Sequence, residues 1–208
     1  MKRFDYYKAA VCTPPVSIGD PKTNVDEMLR ILQSLDPDTQ LAVFPELAVT
    51  GYTCADLFYE ELLLQEAMTQ LIRLADNAPE NMAVIAGIPL KAGTRLFNAA
   101  AFLFGGEILG FYAKHHLPGY NEYYEPRWFS PARDLETETV SVNGRDIPVS
   151  GSILFEDQTT GACIGIEICE DLWVADAPAV NHALKGATIV ANLSASNETV
   201  GKDEYREL

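Results

Sequence analysis

Cys169 closes the apolar run ACIGIEIC and is followed at once by Glu170, Asp171, Leu172 and Trp173, so a thiol stands where a buried strand gives way to a polar turn. The position suits an exposed nucleophile. A lone cysteine is also among the most buried residue types, and its ordinary reading is a core thiol. Three nearby carboxylates, Glu167, Glu170 and Asp171, oppose thiolate formation. A nucleophile at this point therefore needs a base and a lysine. Glu46 follows Pro45 at the end of LAVFPE, and Lys114 ends EILGFYAK ahead of His115, His116, Leu117 and Pro118. Both fall at strand ends, where open α/β sheets place functional groups, and each alone reads as a solvated strand end outside the core.

Other chemistries find no footing. His115, His116 and His182 form neither an HxxxH nor an HExxH pair, and no cysteine pair stands at zinc spacing, so no metal site is expected. There is no GxGxxG and no phosphate-loop GKS or GKT string. Gly105 and Gly106 lack the context of a phosphate loop and read instead as a tight turn between two strands, since glycine tolerates positive φ.

The elements that must position these residues alternate between apolar runs and segments of helical period, the pattern of an α/β fold. Strands are expected at Tyr7–Cys12, Leu41–Phe44, Met82–Leu90, Asn98–Phe104, Ile108–Ala113, Ser152–Glu156, Ala162–Ile168 and Ala187–Asn192. The glycine turn makes the fourth and fifth a hairpin, so a purely parallel sheet is not expected. Helices are expected at Lys22–Ser34, capped by Asp20 with Pro21 in the first turn, at Ala55–Ala75, at Ala177–Lys185, and from near Gly201. Val25, Met28, Leu29 and Leu32, then Leu63, Ala67, Leu71 and Leu74, give the first two helices an apolar face that should pack on a sheet. The stretch Pro118–Pro148 is irregular and rich in aromatics, charge and proline, too long for a passive connector, and is expected to line a site.

The 208 residues carry 15 Lys and Arg against 30 Asp and Glu, a formal charge of −15, with 48% hydrophobic residues. That composition predicts one folded domain long enough to bury roughly two-thirds of its unfolded surface without disulfides or metal. The charge excludes nucleic acid and anionic membrane as partners, because each approach meets like charge. Cys12, Cys54, Cys163 and Cys169 show no disulfide-scaffold spacing, no apolar stretch is long enough to span a membrane, and Asp5 and Lys8 interrupt any signal-peptide core. A cytoplasmic protein is expected.

The strings VFPEL around Glu46, YAKHHLP around Lys114 and IGIEICEDLW around Cys169, in that order, closely resemble the nitrilase (carbon–nitrogen hydrolase) superfamily, and the resemblance runs from residue 7 to residue 202. FPELAVTGYTCADLF, KHHLPGYNEYYEPRWF, CEDLW and ALKGATIVANLSASNETVGK resemble one branch in particular, the glutaminase domains of glutamine-dependent NAD+ synthetases. The resemblance implies an α-β-β-α sandwich with mixed sheets, here C-terminally incomplete, with residues 1–208 as one glutaminase domain. It implies Glu46 as general base, Lys114 as the cation near the oxyanion, Cys169 as nucleophile and Glu125 as a second carboxylate beside the lysine. Tyr120, Trp173 and Ser196 fall where the family contacts glutamine. No cofactor is implied for this domain; ATP and Mg2+ belong to a synthetase domain, whose SGGxD-like loop does not occur in these residues. Assembly into homo-oligomers is a further implication.

The chemistry of amide cleavage suits those roles. A carboxamide is a poor electrophile with a poor leaving group, so it demands a strong nucleophile, a shuttled proton and fixed positive charge at the oxyanion. Lys114 and the backbone N–H after Cys169 supply the charge, and the lysine also offsets the acidic surroundings of the thiol. Two other readings remain at this stage: a free-standing amidase or carbamoylase of the same superfamily, and a catalytically silent scaffold.

Overall fold

Ten strands, three α-helices and several 3-10 turns build two sheets in the computed structural model, which describes residues 6–202 and residue 204. β1 (Ala9–Val11), β2 (Leu41–Val43), β3 (Ala83–Ala92), β4 (Arg95–Phe104), β5 (Glu107–Ala113), β6 (Thr139–Val142) and β7 (Arg145–Ser150) form one sheet in the order β1-β2-β3-β4-β5-β7-β6. β8 (Leu154–Glu156), β9 (Cys163–Ile168) and β10 (Ile189–Leu193) form the other, in the order β10-β9-β8. Parallel and antiparallel pairs occur in both. The β4–β5 hairpin turns through Gly105 and Gly106, both at positive φ, as the sequence predicts.

Alternation along the strands of the large sheet gives it two apolar faces. Ala42, Val84, Ala86, Ala99 and Ala101 pack against Val25, Met28 and Leu32 of α1 (Pro21–Ser34) and against Ala67, Leu71 and Leu74 of α2 (Glu61–Asn77). The opposite face, with Leu41, Ile85, Ala100, Phe102 and Tyr112, packs against Phe155, Ile164, Ile166, Ile168 and Leu193 of the small sheet. α3 (Pro178–Leu184) covers the far side of β9, where Gly165 leaves room for the ring of His182. The layers therefore run helix, sheet, sheet, helix. Asp20 caps α1 by accepting from Thr23 N at 3.0 Å.

Two expectations need correction. The single helix expected over Ala55–Ala75 is a 3-10 turn, Ala55–Tyr59, then a break at Glu60 in extended conformation, then α2. Asp56 is held by Arg127 at 2.8 and 2.9 Å and by Trp128 Nε1 at 3.0 Å, while Tyr59 OH donates to Arg127 O, so tertiary contacts stop the first segment from joining the second. The stretch Pro118–Pro148 is irregular only in its first part; Thr139–Val142 and Arg145–Ser150 are a hairpin turning at Asn143-Gly144, both at positive φ. The helix expected from near Gly201 falls largely outside the described residues. Among the described residues no helix is long and apolar enough to cross a membrane.

Candidate active site

Glu46 lies in the turn that follows β2. Phe44 N donates to Ile85 O, Gly87 N to Pro45 O and Val49 N to Gly87 O, which laces residues 44–49 onto β3. Leu47 takes φ 50°, a conformation L-residues rarely adopt, so the segment is held against its intrinsic preference. Lys114 continues β5 by one residue, its N–H donating to Asn98 O at 2.9 Å. Glu125 opens a short 3-10 turn whose N–H donates to Pro118 O, and the neighbouring Arg127 and Trp128 pin that loop to Asp56.

Three strand-end and loop residues thus converge at full burial. Lys114 Nζ donates to Glu46 Oε1 at 2.6 Å and to Glu125 Oε1 and Oε2 at 2.7 and 2.9 Å. Glu46 is 2%, Lys114 0% and Glu125 1% exposed, so the expectation of solvated side chains outside the core does not hold. They avoid solvent because each charge has partners, which a buried charge requires. Burial alone lowers the lysine's affinity for its proton; Glu46 and Glu125 outweigh it and hold Lys114 above the ordinary lysine range. Glu125 is raised above the ordinary carboxylate range, by burial first and by Glu46 second, against the pull of Lys114.

Cys169 follows the last residue of β9 at φ 46°, a sharp strand-to-turn corner that throws its side chain clear of the sheet's alternation. The corner is held by Asp171, whose carboxylate accepts from Ile168 N, Tyr112 OH, His115 N and His116 N at 2.8–3.2 Å. Asp171 is thus a bracket for the turn. Glu170 accepts from Tyr120 OH at 2.7 Å, and Glu167 points to Asn192, whose Nδ2 donates to it at 3.3 Å. The carboxylate that presses most on the thiol is a different one: burial, then Glu46, push Cys169 up to about 11, while Lys114, Ser196 and Ser194 pull it down.

Cys169 opens on a cavity of about 470 Å³ that Tyr120, Tyr123, Trp173, Ser196 and Lys202 also line. Its size and mixed walls suit a small polar molecule. Ser196 Oγ lies 4.0 Å from Cys169 Sγ, Tyr120 is half exposed, and Tyr120 and Tyr123 meet edge to face. The structure therefore brings all seven sequence-predicted residues to one place, four in the buried cluster around the thiol and three on the cavity wall. It also brings residues that sequence reading missed. Asn98 Nδ2 donates to both Glu46 Oε1 and Glu125 Oε2, and Tyr52 OH donates to Glu125 Oε1. The one signal for Asn98 was its place as the lone polar residue in the apolar run FNAAAFLF.

The sequence profile of the carbon-nitrogen hydrolases matches residues 8–205. The glutamine-dependent NAD(+) synthetase of Mycobacterium tuberculosis is 35% identical over 206 residues, covering 98% of this chain and 30% of that protein. The crystal structure of a glutamine-dependent NAD(+) synthetase from Cytophaga hutchinsonii superposes with a TM-score of 0.84 at 29% identity, over 96% of this chain and 32% of that one. An amidase from Nesterenkonia sp. shares the fold, with a TM-score of 0.72 at 19% identity over 95% of this chain and 68% of its own. The chain spans about 30% of the length of the synthetases it matches. With the profile covering nearly every residue, and with the sandwich recurring in both solved structures, the chain belongs to the carbon–nitrogen hydrolase family.

Proposed function

We propose that this domain hydrolyses the side-chain amide of glutamine, with Cys169 as nucleophile, Glu46 as general base and acid, and Lys114 as the oxyanion's cation. The observation that carries the reading is the fully buried Glu46–Lys114–Glu125 cluster beside a cysteine that opens on a cavity. Glu46 takes the Sγ proton as sulfur attacks the amide carbon. The negative charge gathers on the former carbonyl oxygen, stabilised by the positive charge of Lys114 and by the N–H after Cys169. Collapse breaks the C–N bond as Glu46 returns the proton to nitrogen, and ammonia leaves a thioester. Glu46 then deprotonates a water, which releases glutamate and restores the thiol. Glu125 keeps the lysine charged and fixed. Tyr120, Trp173 and Ser196 hold the amino acid.

The relatives are named glutamine-dependent NAD(+) synthetases, which supports glutamine as the amide donor. We further propose that the ammonia serves amidation of deamido-NAD+ by a synthetase region of the same cytoplasmic, oligomeric polypeptide, where ATP and Mg2+ act. A glutamine-directed diazo-ketone should add its mass to Cys169. Labelling at Cys12, Cys54 or Cys163 instead overturns the assignment. Hydrolysis of small amides or carbamoyl compounds without glutamine turnover replaces it with a free-standing amidase.

A further inference from the structure

We propose that Asn98 is a positioning residue that leaves Glu46 Oε2 as the one carboxylate oxygen of the cluster free to take a proton. The proposal deepens the thiol-hydrolase reading above and rests on it. Each carboxylate oxygen offers two lone pairs. Glu125 Oε1 accepts from Lys114 and Tyr52, and Glu125 Oε2 from Lys114 and Asn98. Glu46 Oε1 accepts from Lys114 and Asn98. Glu46 Oε2 accepts only from Ala195 N, at 3.0 Å, among the described residues. Three oxygens are therefore filled and the fourth keeps a lone pair. That oxygen also faces the loop of Ser196, whose hydroxyl adjoins Cys169 Sγ.

Asn98 makes this partition. It is fully buried on β4, and its amide nitrogen sits between the two carboxylates at 2.7 and 3.3 Å. Only the NH2 end can face two anions, and turning it inward leaves Asn98 Oδ1 buried without a hydrogen-bond partner among the described residues. A buried orphan acceptor is destabilising, so a residue placed here for packing alone would be apolar. The same residue's carbonyl receives Lys114 N–H, so Asn98 fixes the lysine's backbone and both of its carboxylate partners together.

The test is the rate of Cys169 alkylation by iodoacetamide, followed by mass spectrometry from about pH 5 to about pH 10, a span that covers ordinary carboxylate and thiol ionisation. Wild type is compared with Asn98→Leu, which keeps the shape and removes the donors, and with Asn98→Ser, which is small enough to be tolerated should the leucine variant not fold. Losing the shared donor weakens both carboxylates as anions, so the acid limb of the profile should move up by about one pH unit in Asn98→Leu and less in Asn98→Ser. Glutamine turnover should fall about tenfold or more in kcat with KM little changed. Acid limbs that coincide with wild type in folded variants overturn the proposal. The alkylation readout needs no glutamine: a wild type that alkylates with this profile yet releases no ammonia from glutamine sinks the substrate reading and leaves the oxygen assignment standing.

Discussion

Gly87 on β3 and Leu47 in the turn after β2 approach so closely that a Cβ built on the glycine would lie 2.2 Å from Leu47 N and 2.7 Å from the carbonyl carbon of Glu46. No side chain fits there, and the neighbouring atoms are backbone that cannot rotate away. Gly87→Ala must therefore push the 45–47 turn off the sheet and carry Glu46 with it. The substitution is expected to cost about 3 kcal/mol in a denaturant titration and to remove glutamine hydrolysis under conditions where the variant is still folded. Wild-type values for both would show that the turn can yield without moving its carboxylate.

The buried cluster predicts that its members fail in different ways. Glu46→Gln takes one negative charge from two carboxylates that share one ammonium, so the protein should stay folded, with a modest drop in melting temperature because the amide NH2 must face either Ala195 N or the Lys114 and Asn98 donors. Lys114→Ala leaves Glu46 and Glu125 buried without their cation and should destabilise by about 3–5 kcal/mol. Both should lower glutamine hydrolysis by about two to four orders of magnitude, roughly 3–5 kcal/mol of barrier. Near-normal turnover in either variant removes that residue from the mechanism.

The strand ends that carry Glu46, Lys114 and Cys169 were legible because each sits where an apolar run meets a polar turn, and the order of their motifs supplied the rest. Their burial was not legible. It comes from mutual pairing across 68 and 11 residues of sequence, which no local pattern records. Tyr52 gave no signal for the same reason, since its partner lies 73 residues away. The break at Glu60 depends on Arg127 reaching Asp56, so local periodicity read straight through it. The hairpin Thr139–Ser150 did carry a local signal, Asn143-Gly144, but its short strands contain Pro148 and the charged pair Arg145-Asp146 and lack the apolar run that marks the others.

Cys169 ties stability to alkaline pH. Burial and Glu46 raise the folded thiol from 9.0 to about 11, so above about pH 9 the unfolded chain loses a proton that the folded chain retains. The folded state then binds more protons than the unfolded one, and stability must fall as pH rises from about 9 to about 11, by up to about 3 kcal/mol for this group. Cys169→Ala removes that contribution. Its denaturant midpoint, compared with wild type at neutral pH and near pH 10, should decline less on going alkaline. Equal declines in both proteins would mean that the thiol is not held protonated by its surroundings.

Asp171 offers the clearest separation of architecture from chemistry at the corner after β9. Its carboxylate accepts four hydrogen bonds, two of them from the N–H groups of His115 and His116, which follow Lys114, and one from Ile168 N, which precedes Cys169. One side chain thus joins the segment bearing the lysine to the segment bearing the thiol. Asp171→Asn keeps the shape but turns one acceptor oxygen into a donor that faces either an N–H pair or Ile168 N and Tyr112 OH. Asp171→Ala takes the acceptor from two buried donors, Ile168 N–H and Tyr112 O–H, and from the part-buried N–H groups of His115 and His116. Each unsatisfied donor costs about 1–3 kcal/mol, so the alanine variant should lose on the order of 3 kcal/mol or more, and the asparagine variant less. Turnover should fall in both, because Asp171 ties the positive-φ corner at Cys169 to the segment that follows Lys114. The decisive measurement is alkylation of Cys169 in the folded asparagine variant. A thiol released from its corner should react faster with a neutral electrophile while glutamine hydrolysis drops, whereas unchanged alkylation and unchanged turnover would mean that the corner holds its shape without Asp171.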